Sequence, residues 1–503
     1  MAASGGAEQF TLMAILAARA TGAPVWAMLD RKEEHLVAGY RPPSGQRVRL
    51  GAKQDGTLTL IEHEGWVTTG AFGGAGPVIG GPAKDLYLCP HVRTAVWTAR
   101  SNRDHARAFR APGYVEGTFG LEGAMDALAD KLGIDPLELR LKNYAEESPS
   151  RDQPYTFKGL RHAYEIGAER FGWDKRGEVV REDGPWRRGF GMASQIWGGG
   201  GGPPANAIVK LLPDGTAEVA VGVQDIGTGT RTALTQVAAE ELGIPWGNVR
   251  LVLGDSLPTA FGPGSGGSVT LASSSPAVRS GCREALRQLF ELAAIMLELE
   301  DADPDDFEVR DGEIVYVPDP DRRIGYTEVT AKMGNYTIVT KGARGPNPDD
   351  KAINTFGAHF VQVAVNVETG QIRVERVVAV HDIGRVVNPM TAESQVYGGV
   401  TMGMGLALSE ERVIDPDTGL QLTDNLEEYK VPVLADVPKI DVAFVDVADT
   451  DANSVGSKGL GEPPIIPIAA AIANAVYDAV GVRMTDLPMT SARLLPHLSA
   501  TVG

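Results

Sequence analysis

Cysteine is nearly absent from this chain: Cys89 and Cys282 are the two in 503 residues. Two thiols cannot build a disulfide framework, a four-cysteine zinc site or a cysteine-held iron–sulfur cluster. The eight histidines show no HxH or HExxH spacing, so a histidine-ligated metal has no support either. Basic residues are outnumbered, 47 Lys and Arg against 65 Asp and Glu, and a net charge of −18 argues against the basic surface that nucleic acid would want. No apolar run reaches the length of a membrane span. Small molecules and protein partners remain. The opening "MAASGGAEQFTLMAILAARATG" lacks the basic region of an export signal and reads as a helix of a folded domain. That predicts a cytoplasmic protein, or a periplasmic one if a partner carries the signal.

What is abundant is glycine, 61 residues, about one in eight against a usual share of roughly 7%. The glycines fall in short runs between strand-like segments, which marks them as tight turns and close backbone approaches. A hydrophobic share of 43% with 22% charged residues is that of a globular protein, and the length predicts two or three domains. Three segments repeat one pattern of strand, glycine turn and strand: 48–65, 207–222 and 360–380, with Asp-Gly or Thr-Gly at the turn. Each predicts a β-hairpin. The last two lead into "QDIGTG" and "HDIGRVVNP", a short internal repeat or a coincidence. Helical periodicity places Leu121, Met125, Leu128 and Leu132 on one face with a stop at Gly133, and Ala233, Leu234, Val237 and Ala238 on another with a stop at Gly243. Hairpins mixed with helices predict an α+β architecture. The clearest boundary candidate is "REDGPWRR", 181–188.

Five glycine-bearing stretches carry two readings each. Gly227-Thr228-Gly229 follows a strand and opens a helix, where free N–H groups would bind an anion; otherwise it is a turn that needs glycine. It is neither GxGxxG nor a P-loop, which argues against an NAD-type dehydrogenase or an NTPase. Residues 261–278, "FGPGSGGSVTLASSSPAV", form a loop that brings Gly266, Gly267 and Ser268 against a flat ligand, or a flexible linker. "WGGGGGPP" (197–204) is a hinge or a ligand-facing strip. Arg110, before Ala-Pro-Gly, is fixed for an anion or is a surface ion-pair member. In "GSKGLGEPPIIPIAAAIANAVYDAVG", Glu462 stands between a glycine loop and Pro463-Pro464 ahead of an apolar helix. The helix dipole would favour its ionised form, and a dry pocket would raise its pKa. A capping role and a catalytic one both fit.

In this order, "FRAPGYVEGTFGLEGAMDALADKLGIDPLELRLKN", "QDIGTGTRTALTQVAAEELGIP", "GPGSGGS", "HDIGRVVNP", "QVYGGVTMGMGLAL" and "SKGLGEPPIIPIAAAIANAV" closely resemble the molybdenum-binding large subunit of the xanthine dehydrogenase/aldehyde oxidase family. The resemblance covers nearly the whole chain, and "DIGTGT" with "SGGS" is most similar to the bacterial aldehyde-oxidising branch. It implies the end of a first molybdopterin-binding domain (1–165) and a complete second one (166–503), in an α+β fold. The implied cofactor is molybdopterin cytosine dinucleotide, whose dithiolene holds the metal, so no side chain here is a metal ligand. Glu462 is implied as the catalytic base of an oxidative hydroxylation of aldehydes or N-heterocycles, with water as oxygen source. Gly227, Thr228 and Gly229 would wrap the pterin, with Thr228 where many relatives carry glutamine. Phe109, Arg110 and Ala111 would border the metal, Gly266, Gly267 and Ser268 would face the cofactor, and Lys458 and Gly461 would flank it. Arg107 stands where carbon monoxide dehydrogenases of the family carry a cysteine, which argues against that activity.

Implied partners are a [2Fe–2S] subunit and an FAD subunit, since this chain has neither group. Relatives also carry an N-terminal region ending in a "GGFGGK"-like loop; "ASGGAEQ" (3–9) is all that stands in its place, which implies either a separate chain for that part or that this chain is a fragment or a degraded copy. The alternative is a non-catalytic or vestigial assembly subunit.

Overall fold

Branched residues alternating around the Asp-Gly and Thr-Gly turns form hairpins at all three expected places. The computed structural model describes residues 2–3, 9–71, 78–103, 105–176 and 182–498. Helices α1 (Gln9–Thr21) and α2 (Arg31–Val37) precede the first hairpin, β1 (Ser44–Ala52) with β2 (Leu58–Thr69). After the short helical turn Gly81–Asp85, β3 (Val92–Arg100) runs parallel to β2, and α3 (Tyr114–Leu132) covers the sheet. Helix α4 (Leu160–Phe171) and strand β4 (Trp186–Trp197) follow. The second hairpin is β5 (Asn206–Leu211) with β6 (Ala217–Gly222); α5 (Thr230–Leu242) crosses to β7 (Val249–Leu253), parallel to β6. Helix α6 (Thr270–Met296) covers this sheet, and β8 (Ile338–Ala343) lies antiparallel on β5. The third hairpin is β9 (Thr355–Asn366) with β10 (Ile372–Asp382); α7 (Pro389–Leu408) crosses to β11 (Lys439–Phe444), parallel to β10. Helix α8 (Ile468–Val480) covers it, and β4 lies antiparallel on β9.

The repeat is therefore threefold in topology: hairpin, crossover helix, parallel strand, covering helix. The two Asp-Ile-Gly segments nevertheless do different work. Asp225 is exposed and caps α5, while Asp382 is buried beside Lys458.

One buried cluster joins Leu58, Ile61, Leu121 and Met125 of the first unit to Phe190, Phe356, Phe360 and Val378 of the third. The boundary expected at 165/166 falls inside α4, which packs on β9 and β10; a Cβ at Gly167 would stand 2.3 Å from the Phe360 ring. Within "REDGPWRR", residue 181 lies outside the described residues, and 182–188 forms a tight hairpin whose Glu182–Asp183 pairs with β4. The linker reading of 261–278 is corrected. Helix α6 begins at Thr270 and runs through Pro276. Proline cannot donate to the Ala272 carbonyl four residues back; buried Arg344 donates to it instead, Nε to O at 3.3 Å. Of the stretch "ASGGAEQ", residues 4–8 lie outside the described residues. The opening helix is present as α1, but Leu12, Met13, Ile15 and Leu16 on it are each more than half exposed.

Two fully buried histidines, His359 on β9 and His381 on β10, meet with Nε2 to Nε2 at 3.0 Å. One ring donates and the other accepts. Burial holds both imidazoles neutral: His359 sits well below its ordinary pKa, and His381 is lowered to about 3, helped by Arg110. A histidine lowered on folding binds its proton more readily when unfolded, so its stabilising contribution is complete above about pH 6.5 and is lost as pH falls toward 3. Urea unfolding is expected to show stability falling below pH 6.5, and a His359→Leu/His381→Phe chain should flatten that slope. An unchanged slope in the double variant would contradict this assignment.

Candidate active site

Glu462 precedes a 3₁₀ turn, Pro463–Ile465, and α8 begins only at Ile468. The carboxylate is therefore not seated on the α-helix N-terminus, as the sequence predicts, and the dipole is not its main support. Two other loops hold it. The Ala111 N–H donates to Oε1 (2.9 Å) and the Ser268 hydroxyl to Oε2 (3.1 Å), while the N–H of Glu462 donates to Ser268 Oγ (2.9 Å). Ala111 and Ser268 both adopt left-handed backbone, with φ of 56° and 61°. Non-glycine residues rarely sit there, and such strain concentrates at working sites.

Arg110 completes the frame. Its Nε donates to the Gly461 carbonyl (2.7 Å) and Nη2 to that of Gln395 (2.9 Å). Arg41 Nη2 donates to the Arg110 carbonyl (2.6 Å), and its guanidinium lies 5.1 Å from the Phe109 ring centroid. Burial raises the Glu462 pKa above its ordinary value, against the opposing pull of the Ala111 N–H, the Ser268 hydroxyl, Arg110 and Arg41. Burial lowers Arg110 to about 10, with Glu462 partly offsetting it. A carboxylate so placed is held more basic than a free one, the property that a proton acceptor near neutral pH requires.

The glycine strip 198–202 is no hinge. The Gly459 N–H donates to the Gly199 carbonyl (2.9 Å), and a Cβ at Gly459 would stand 1.8 Å from the Ser268 carbonyl oxygen. Trp197 Nε1 donates to the Gly267 carbonyl (3.1 Å), tying this strip to the 266–268 turn. The loops of 109–111, 197–202, 266–268 and 459–462 thus converge on one carboxylate.

Gly227-Thr228-Gly229 comes close but is not the anion cradle its sequence predicts. Asp225 Oδ1 accepts from Gly227, Thr228 and Gly229 N–H (3.0, 3.1 and 3.2 Å), and Oδ2 accepts from Arg231 N–H (3.0 Å). Burial opposes the Asp225 charge, but these four donors outweigh it and lower the pKa. A cavity of about 120 Å³ joins this loop to Ser268 and to 459–461 across Asn388, Thr391 and Gln395. Lys458 borders the cavity. Its ammonium is buried, 3.1 Å from Asp382, 3.5 Å from Asp449 and 3.2 Å from the Phe157 carbonyl. On the other side, Phe109 and Ile465 border an open chamber of about 1660 Å³ with Tyr40, Tyr397 and Met402. The sequence reasoning missed Asn388, Thr391, Gln395 and Arg41. "NPMT" held one signal, an N-cap asparagine before N1 proline, and Asn388 Oδ1 does accept from Thr391 N–H (2.9 Å).

Among the described residues no group of three or more His, Cys, Asp or Glu could hold a metal ion. Around the cavity stand neutral donors and acceptors, Thr228, Ser268, Asn388, Thr391 and Gln395, with two cations, Arg385 and the ion-paired Lys458. That set suits a polar organic group carrying its own metal and an anionic tail.

Models of the molybdopterin cofactor-binding domain match residues 6–144 and 167–438, and the chain belongs to this family, that of the molybdenum-binding subunits of aldehyde oxidoreductases and xanthine dehydrogenases. It is 37% identical over 496 residues to the aldehyde oxidoreductase molybdenum-binding subunit PaoC of Escherichia coli K12, covering 98% of this chain and 66% of that protein. Identity is 34% over 512 residues to the putative xanthine dehydrogenase molybdenum-binding subunit XdhA of the same organism, covering 98% and 67%. This chain thus spans about two thirds of the length of these curated relatives. Quinoline 2-oxidoreductase from Pseudomonas putida 86 shares the fold at a TM-score of 0.87 and 23% identity, over 99% of this chain and 68% of that one. For the aldehyde oxidoreductase of Desulfovibrio desulfuricans the values are 0.81 and 26%, over 98% and 53%.

Proposed function

We propose that this chain is the catalytic portion of a molybdenum hydroxylase that oxidises aldehydes or N-heterocycles with water as oxygen source, and that Glu462 is its general base. The observation that carries this reading is the Glu462 carboxyl held between the Ala111 N–H and the Ser268 hydroxyl, with burial keeping it basic. The bound cofactor would supply the redox centre that accepts two electrons from the substrate. Thr228, Ser268, Asn388, Thr391 and Gln395 would hold its polar edge, with Arg385 toward an anionic tail. A cytosine dinucleotide form fits that anionic end. Glu462 takes a proton from the attacking water-derived group, and Arg110 fixes the turn that carries it. Electrons then leave through a [2Fe–2S] subunit and an FAD subunit.

Metal and pterin analysis of the purified complex, with turnover on aromatic and aliphatic aldehydes, tests this. A complex with neither cofactor nor turnover would defeat it. The pH dependence gives a sharper check. A base must be deprotonated, so kcat/KM is expected to fall on the acid side through a pKa above the ordinary carboxylate value. Ser268→Ala removes a bond to the charged form, which moves that acid limb to higher pH and lowers turnover about tenfold. An acid limb that stays in place would remove Ser268 from this role.

A further inference from the structure

The peptide unit between Arg110 and Ala111 meets a charged side chain at each end. Its N–H, that of Ala111, donates to Glu462 Oε1 (2.9 Å). Its carbonyl, that of Arg110, accepts from Arg41 Nη2 (2.6 Å). One planar amide thus joins a guanidinium to the carboxyl of the site. Hydrogen bonds in series polarise one another, by about 10–30% per bond. A cation on the carbonyl oxygen draws electron density toward it and leaves the N–H a stronger donor. A stronger donor favours the charged carboxylate over the neutral acid.

Arg41 is held in turn from the other side. Its Nη1 donates to Glu116 Oε1 (3.0 Å) in the first turn of α3, and the two side chains are only 13% and 9% exposed. Among the described residues Glu116 Oε2 is buried without a partner, and Arg41 is the one cation paired with this carboxylate. The backbone beside Arg41 is pinned as well: Tyr40 N–H donates to the His105 carbonyl (3.3 Å), and Arg107 N–H donates to that of Tyr40 (2.9 Å). The other charged or titratable groups facing this line are Arg110 beside Glu462, Glu410 and Tyr429 beside Arg41, and neutral His381 behind Arg110.

We propose that Arg41 is a positioning residue that acts on Glu462 through the 110–111 peptide, and that Glu116 sets the strength of that action by offsetting the Arg41 charge. Two variants at neighbouring positions should then push Glu462 in opposite directions. Removing the Arg41 charge weakens the Ala111 donor. Removing the Glu116 charge frees more of the guanidinium's pull and strengthens it. This deepens the reading of Glu462 as the base, but the test reads the carboxyl itself and needs no turnover, so the two can fail separately.

The full chain labelled with carbonyl-¹³C arginine and ¹⁵N alanine gives paired signals only from the Arg-Ala peptides, 19–20, 107–108 and 110–111. The Ala111 amide proton is bonded to Glu462, so its chemical shift is expected to follow that carboxyl's protonation, and Glu462→Gln should abolish the response. Arg41→Gln is expected to move the midpoint up by about one pH unit, and Glu116→Gln to move it down by about 0.5. Glutamine at 116 still offers Arg41 an oxygen, so that variant keeps the fold even if Arg41→Gln, which strands a buried carboxylate, does not. Arg41→Lys keeps the charge without the fork that reaches both partners, and its midpoint falls between those of the parent and Arg41→Gln. In the double variant Arg41→Gln/Glu116→Gln the second change should add nothing to the first. Four results would overturn the proposal: an Ala111 signal without pH response, an unmoved midpoint in either single variant, shifts of the same sign in both, or a Glu116→Gln shift of equal size with and without Arg41.

Discussion

Glu462→Gln is expected to leave the fold and cofactor content unchanged and to lower kcat by a factor of about 10²–10⁴, the usual worth of a positioned proton acceptor. The amide is nearly isosteric with the carboxyl. Its oxygen still accepts from the Ala111 N–H, and its NH₂ can donate to Ser268 Oγ, which the carboxylate now accepts from. Neither loop loses its tether, so the melting temperature should barely move. What disappears is the ability to take up a proton. Molybdenum and pterin content per chain, the melting temperature and kcat are the three readouts. Substantial turnover in a cofactor-replete variant would remove Glu462 from the role of base.

Lys458→Met is expected to give the largest loss of stability, about 3–5 kcal/mol, because it breaks a buried ion pair from one side. Asp382 and Asp449 would be left charged among atoms that exclude water, with side-chain exposures of 0% and 1%. The neighbours cannot compensate fully. Asp382 Oδ2 already accepts from Gly159 N–H (2.8 Å), and Asp449 Oδ2 accepts from the Thr156 hydroxyl (2.8 Å). Because Lys458 lies four residues before Glu462, the loop that carries Glu462 should loosen as well, lowering kcat along with the urea midpoint. Adding Asp382→Asn should recover part of the loss, since it removes one of the stranded charges. A single variant as stable as the parent would show that the pair contributes little.

The parts of this fold legible from sequence are those decided locally. Asp-Gly and Thr-Gly turns between alternating residues specify hairpins, and Gly133 and Gly243 end their helices in left-handed backbone, φ 66° at each. What escapes local reading is what distant residues supply. One donor to Glu462 lies 351 residues away at Ala111 and the other 194 away at Ser268, and no spacing in the sequence announces either. Residues 270–278 look like a small-residue loop with a helix breaker, and only Arg344, a partner for the stranded Ala272 carbonyl, makes the helix tenable. The N–H groups of 227–229 look available for an anion until Asp225 is seen to occupy them. Lys458 sits in a glycine-rich loop that suggests contact with a ligand, yet its side chain is buried among carboxylates from two other segments. Order and wording of the motifs point to the family; the interior wiring needs three dimensions.

The Asp225 clasp has a consequence for how such a protein matures. Because four main-chain donors already grip a built-in carboxylate, the turn keeps its shape before any guest arrives. Loading can then be the last step of assembly, a docking into a rigid berth with little ordering left to do.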